Sequence, residues 1–266
     1  WVEQKKRMRG EKSPWFLSKA LGQFPEDGGT GFFTPGDVGK ARDTEIEDDM
    51  SVPCVFGLDI ARMGLDESVL VMNRGGKVTI LDAWAKTDTY TSTVKVFEYA
   101  QKYQPVEIRV DATGVGGGVL DNLVENPQFA GPWDAIGIEG ALASPDITKW
   151  ANLRAYIYDS AKTQMAAEEI DIDGDEKDLL DELSLITYKF HNRGGVQIAR
   201  KEDMKTALGG SPDRADAFVY AVCDLSPWTG NPWNEMRDGE AVIMEREDLP
   251  FMTEELPMFG AGLPLL

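Results

Sequence analysis

Between about residues 52 and 226, short continuous apolar runs alternate with longer stretches of helical period. The run 55–60 is apolar apart from one charge, Asp59, and its length suits a buried strand. Segments 68–72 and 78–84 are strand-like, and Asn73-Arg74-Gly75-Gly76 between them is a hairpin signal. Segment 91–103 sets Val94, Phe97 and Ala100 on a helical stripe that stops before Pro105. A second buried strand follows at 106–111, then the glycine run 114–118 leading into a helix near 119–125, then a strand at 135–138. Residues 148–168 predict a long helix with Trp150, Leu153, Ile157 and Ala161 on one stripe. A second hairpin pairs 185–190 with 196–199 and turns on 192–195, beside His191. The last helix opens at Ser211-Pro212, with Ser at the N-cap and Pro at the first helical position. Strands interleaved with helices predict an α/β domain with a largely parallel sheet.

Composition sets the limits of that domain. The 266 residues carry 27 Lys+Arg against 46 Asp+Glu, a formal charge of -19. Residues 21–50 and 231–266 each hold two basic and eight acidic side chains and are rich in Pro and Gly, so both read as solvated segments. The chain is therefore expected to consist of a connecting stretch over 1–50, a folded domain over 51–228 and an acidic tail over 229–266. Residues 1–20 are basic, and 186–214 hold six basic against three acidic residues, so a nucleic-acid partner stays open despite the total charge. Two cysteines without a CxxC spacing exclude a disulfide scaffold and a thiolate zinc site. One histidine excludes a His-rich centre, so a metal here would be held by carboxylates, favouring Mg²⁺, Mn²⁺ or Ca²⁺. No apolar run reaches 18 residues and no basic-then-apolar leader is present. Trp1 as first residue points to a chain cut from a longer one.

Three acids stand where chemistry would be placed. Asp59 closes the first buried strand and Asp111 the second, and ligands of open parallel sheets bind beyond the carboxyl ends of strands. If those strands are neighbours, the two carboxylates lie roughly 5 Å apart, and such anions repel unless a cation stands between them. Either Asp alone is better explained by a turn-capping role. Asp213 and Asp216, three apart in the first turns of the last helix, share one face with Tyr220. A helix dipole accounts for Asp213 and less well for Asp216, a turn further in. Two strand-end acids and one helical acid would form an all-oxygen cage for two Mg²⁺ or Mn²⁺ ions about 4 Å apart, the arrangement that cleaves phosphodiesters. Asp66 and Asp213 would support the metals from the rim.

Gly57-Leu58-Asp59-Ile60-Ala61-Arg62 with Gly64 and Asp66, then Val110-Asp111-Ala112-Thr113-Gly114-Val115-Gly116, then Ser211-Pro212-Asp213-Arg214-Ala215-Asp216-Ala217, resemble the nuclease domain of a tailed-phage terminase large subunit. The resemblance implies a ribonuclease H-like mixed sheet flanked by helices with an extra β-hairpin. It implies catalytic metal ligation by Asp59, Asp111 and Asp216, with Asp213 auxiliary. It further implies a divalent-metal endodeoxyribonuclease cutting concatemeric viral DNA in genome packaging in the host cytoplasm, away from membranes. The implied partners are double-stranded DNA, a terminase ATPase domain, a small terminase subunit and a portal protein. There is no GxxxxGK[ST] motif, since Gly39-Lys40 is followed by Ala41, so ATP hydrolysis by this chain is not expected. Lys149, Arg154, Lys189, Arg193, Arg200, Lys201, Lys205 and Arg214 are candidates for phosphate contacts that position a duplex.

Other signals weigh less. Gly114-Val115-Gly116-Gly117-Gly118 departs from the dinucleotide fingerprint at Val119. Asp171-Ile172-Asp173-Gly174-Asp175 with Glu182 approaches a calcium loop but places Gly at the fourth position instead of the sixth. Trp228 and Trp233 fit either packing or partner contacts. Competing readings are a resolvase or transposase core, a fragment of an actin-like ATPase, and an interaction module docking through the acidic tail.

Overall fold

The computed structural model describes residues 31–61, 66–190, 195–201, 203–204 and 210–228. Six strands form one mixed sheet in the order β5-β4-β1-β2-β3-β6, made of β1 (Cys54–Asp59), β2 (Ser68–Arg74), β3 (Lys77–Trp84), β4 (Glu107–Asp111), β5 (Asp134–Ile138) and β6 (Asp171–Ile172). The first three form an antiparallel meander, while β4 joins β1, β5 joins β4 and β6 joins β3 in parallel. A separate antiparallel pair, β7 (Tyr188–Phe190) and β8 (Val196–Ile198), makes the extra hairpin. The helices are α1 (Pro35–Asp43), α2 (Thr89–Tyr103), α3 (Val115–Glu125), α4 (Leu153–Ala166), α5 (Lys177–Leu185) and α6 (Asp213–Val222). This is a ribonuclease H-like α/β arrangement. None of the described helices is long and apolar enough to cross a membrane.

The two sheet faces are covered by different helices, as alternation along β1 requires. Phe56 meets Tyr103 of α2 edge-on, whereas its neighbour Gly57 lies under α6. A Cβ on Gly57 would overlap Ala217 O and the backbone of Ala221, so glycine is what lets α6 rest directly on β1. From Ala215 to Val222, α6 is at most 4% exposed on any side, as a helix sandwiched between sheet and α4 must be. The core there combines Val69 and Val71 from β2, Ile157, Tyr158 and Ala161 from α4, and Phe218 from α6.

Several boundaries move from their sequence-based positions. The helix expected over 148–168 begins at Leu153, because Asn152 caps it by accepting from Ala155 N at 3.0 Å, while Trp150 bridges Val196 of the hairpin. The strand expected from 185 begins at Tyr188, since Leu185 ends α5. Ser211 is not the N-cap of the last helix; Pro212 is, and it offers no side-chain cap. Residues 31–43 fold onto the domain instead of leading up to it. Phe32 and Phe33 are 3% and 2% exposed against Tyr158, and Val38 and Ala41 of α1 join the same core. Trp228 is a packing residue whose indole donates to Ala143 O. Trp233, His191 and the whole tail expected over 229–266 lie outside the described residues.

Candidate active site

The parallel register of β1 on β4 pairs Leu58 with Val110, so the next residues, Asp59 and Asp111, end adjacent strands side by side. The α6 helix, seated on Gly57, brings Asp216 over the same strand ends. These three acids converge on one ammonium: Lys201 Nζ stands 3.0 Å from Asp59 Oδ2, 2.9 Å from Asp216 Oδ2 and 3.8 Å from Asp111 Oδ2. Two of these acids, Asp216 and Asp111, are held in place by further donors. Tyr158 donates to Asp216 Oδ1 at 2.6 Å, and Arg154 Nη2 lies 2.7 Å from the same oxygen. Tyr220 on α6 donates to Asp111 Oδ2 at 3.2 Å, and Asp111 Oδ1 accepts from Thr113 N. The Glu67 amide donates to Asp213 Oδ2 at 2.9 Å, which ties the segment before β2 to the start of α6.

The electrostatics follow from burial among like charges. Asp59, 4% exposed, is pushed up to about 8 by burial and by Asp216, Asp111 and Asp213, with Lys201 opposing. Burial also works against the charge of Asp216, yet Arg154 and Lys201 prevail and hold its carboxyl below the usual range. Asp213 is raised, mainly by burial, against hydrogen bonds from Ser211 and Glu67. Desolvation disfavours the Lys201 ammonium, but Asp216 and Asp59 more than compensate and keep it protonated far above the ordinary lysine range. Four acids share only Lys201 and Arg154 as cations, and the shortage of positive charge is met by raising Asp59 and Asp213 while Asp216 stays ionised.

This donor set fits divalent metal, with one correction to the expected cage. Among the described residues no group of three His, Cys, Asp or Glu side chains stands in metal-binding geometry. The oxygens are spread around an ammonium at 2.9 to 3.8 Å. A Mg²⁺ sphere is tighter, about 2.0–2.1 Å, so an ion held by these acids would need the carboxylates to close in and Lys201 to withdraw. The chemistry of the donors otherwise suits a hard cation. All are oxygens, and the fully buried Asp216 Oδ2 has no hydrogen-bond partner of good geometry, its counter-charge being Lys201.

The remaining sequence-predicted positions divide into three groups. Asp213 lies against the cluster, 6% exposed, and Asp66 stands half-buried next to Glu67. Arg154 and Lys201, expected to touch phosphate, are instead turned onto the acids, and Arg214 pairs with Glu67 at 2.8 Å and faces Glu182 at 3.7 Å. Their ion-pair partners are distant in sequence, so charge alone did not show these contacts. Lys149, Lys189 and Arg200 are exposed, Lys149 lying over the Trp150 ring. Arg193 and Lys205 lie outside the described residues. Sequence reasoning missed Tyr158 and Arg154 as holders of Asp216; their i, i+4 spacing on α4 was the available signal. It also missed Arg109, whose Nη1 donates to Tyr220 O and to Cys223 O at 2.6 Å and so secures the C-terminal end of α6.

No family profile matches the chain, and no curated protein is similar to it in sequence. Solved structures are similar in fold. The nuclease domain of the large terminase subunit gp2 of bacterial virus Sf6 superposes with a TM-score of 0.60 at 18% identity, covering 72% of this chain and 98% of that one. A lysine-to-alanine variant of the same Sf6 domain, with calcium, gives 0.62 at 20% identity over the same shares. The large terminase nuclease from thermophilic phage G20c, with bound magnesium, gives 0.53 at 14%, covering 74% of this chain and 98% of that one. The chain therefore has the fold of the nuclease domains of phage large terminase subunits.

Proposed function

We propose that this chain is a divalent-metal-dependent endodeoxyribonuclease of the terminase type. The observation that carries the reading is the convergence of Asp59, Asp111 and Asp216, from β1, β4 and α6, on a single cation within 3.8 Å. The solved neighbours support it, since the G20c nuclease is described with magnesium and the Sf6 domain with manganese. Two Mg²⁺ or Mn²⁺ ions bound between these acids would supply an activated water and charge stabilisation of the departing oxygen. Asp59 and Asp111 offer the strand-end oxygens and Asp216 Oδ2 the helical one. Arg154 and Tyr158 fix the other Asp216 oxygen, so that Oδ2 points into the cluster. Asp213 serves as an auxiliary ligand with Asp66 beyond it. Lys149, Lys189 and Arg200, with Arg193 and Lys205, would hold a duplex by its phosphates. The biological role in this proposal is cleavage of concatemeric viral DNA during packaging in the host cytoplasm. An ATPase domain, a small terminase subunit and a portal protein are the partners.

Supercoiled plasmid with Mn²⁺ or Mg²⁺ is the direct assay. Asp59→Ala, Asp111→Ala and Asp216→Ala should each abolish nicking while cooperative unfolding is retained, and Asp213→Ala should retain part of it. Parental nicking by all three would overturn the assignment. Preference for a four-way junction over linear duplex would favour the resolvase reading instead.

A further inference from the structure

The α6 helix starts badly by its own means. Pro212 at its N-cap has no side-chain acceptor to offer, so the first-turn amides need a partner from elsewhere. Glu182 of α5 supplies it: Oε2 accepts from Ala215 N at 2.9 Å, 33 positions away in sequence. Its carboxylate is 5% exposed, deep beneath the turn that carries Asp213 and Asp216. The other oxygen faces Arg214 Nη1 at 3.7 Å; Arg214 pairs with Glu67 Oε2 at 2.8 Å, and the Glu67 amide donates to Asp213 Oδ2 at 2.9 Å. One ring of contacts thus joins α5, the segment before β2 and the first turn of α6.

Stabilisation of the helix dipole does not account for Glu182. Asp213 and Asp216 already place two anions in that turn, and both act against a charge on Glu182. A third buried acid there is electrostatically unfavourable; what it alone provides is an acceptor at a fixed height and angle beneath Ala215. Ala215 lies between the two acids in the chain, so its amide belongs to the turn from which both carboxylates project.

We propose that Glu182 is a positioning residue for Asp213 and Asp216, acting as an acceptor contributed from α5 to the first turn of α6. The inference rests on the nuclease reading above. It predicts that the acceptor matters more than the charge. In the full chain, Glu182→Ala should raise the half-saturating Mn²⁺ concentration and slow plasmid nicking, each about tenfold or more, at a temperature where it is fully folded. Glu182→Gln keeps an oxygen for Ala215 N and should stay within about threefold of the parent. Amide hydrogen exchange in Glu182→Ala should speed up at residues 213–215, with the rest of α6 unchanged. A folded Glu182→Ala with parental metal requirement and rate would overturn the proposal, as would equal impairment of Ala and Gln variants. Should the parent bind Mn²⁺ without cutting DNA, the nuclease reading fails, while Mn²⁺ affinity and exchange in the two variants still decide the role of Glu182.

Discussion

The Tyr158 hydroxyl donates to Asp216 Oδ1 at 2.6 Å, so one oxygen of the helical acid is committed to α4 and the other is left for the strand-end acids. Tyr158→Phe keeps the ring that packs on Phe32 and Phe33 and removes the hydroxyl, which donates to Asp216 and accepts from Arg154 Nη2 at 3.2 Å. Losing a hydrogen bond to a charged, buried group should cost about 1.5–3 kcal/mol of stability in urea melts. Freed to rotate, Asp216 should also lower single-turnover nicking by about tenfold. Tyr220→Phe should do less on both measures, because its bond to Asp111 is longer, 3.2 Å, and Asp111 is partly exposed. Equal losses would contradict this ranking.

Lys201→Ala removes the one cation shared by three acids. In metal-free buffer it should destabilise the fold by about 3–5 kcal/mol, the usual cost of stranding buried charge. Mn²⁺ should then raise its melting temperature more than it raises that of the parent, because metal no longer competes with an ammonium. Thermal melts over a Mn²⁺ series settle it; identical Mn²⁺ responses would mean that Lys201 and the metal occupy different places.

Gly57→Ala puts a methyl group against the backbone of α6 at Ala217 and Ala221, where no side-chain rotation can relieve it. Destabilisation of about 3 kcal/mol or more is expected in denaturant melts. Gly39→Ala, with open space around its Cβ, is the control and should be neutral or better.

Burial, opposed by Ala215 N and Arg214 and reinforced by Asp213 and Asp216, raises the Glu182 carboxyl from 4.5 to about 8. The folded chain therefore holds a proton that the unfolded chain has released. This contribution to stability is complete below about pH 4.5 and is lost as pH rises through about 8. Glu182→Gln removes that titration, so urea midpoints between pH 5 and 9 should fall less steeply than the parent's. Parallel profiles would show that Glu182 is already charged in the folded chain across this range.

The frame of the site was legible where the signal was local. Asp59 and Asp111 each end a compact apolar run, and a parallel neighbour was the natural guess, which the Leu58–Val110 register matches. Asp213 and Asp216 were placed on one helix by their spacing. What escaped were side-chain contacts whose partners are remote. Ser211 looked like a cap because the residue that does the capping is Glu182, on a different helix. Phe32 and Phe33 were lost in a Gly- and Pro-rich, acidic stretch, and their burial depends on Tyr158 and Tyr188. Arg154 and Lys201 carry the charge expected of phosphate contacts, and only the folded chain shows carboxylates within 3 Å of them.

The Lys201 ammonium belongs to the segment following β8, whereas the acids it neutralises sit on β1, β4 and α6. Opposite charges are thus mounted on separate parts, the shared counterion after β8 and its anions on the scaffold. A cation from solution that took the place of this side chain would leave the anionic scaffold standing and displace only its built-in counterion, so the resting protein resembles a partly neutralised ion exchanger.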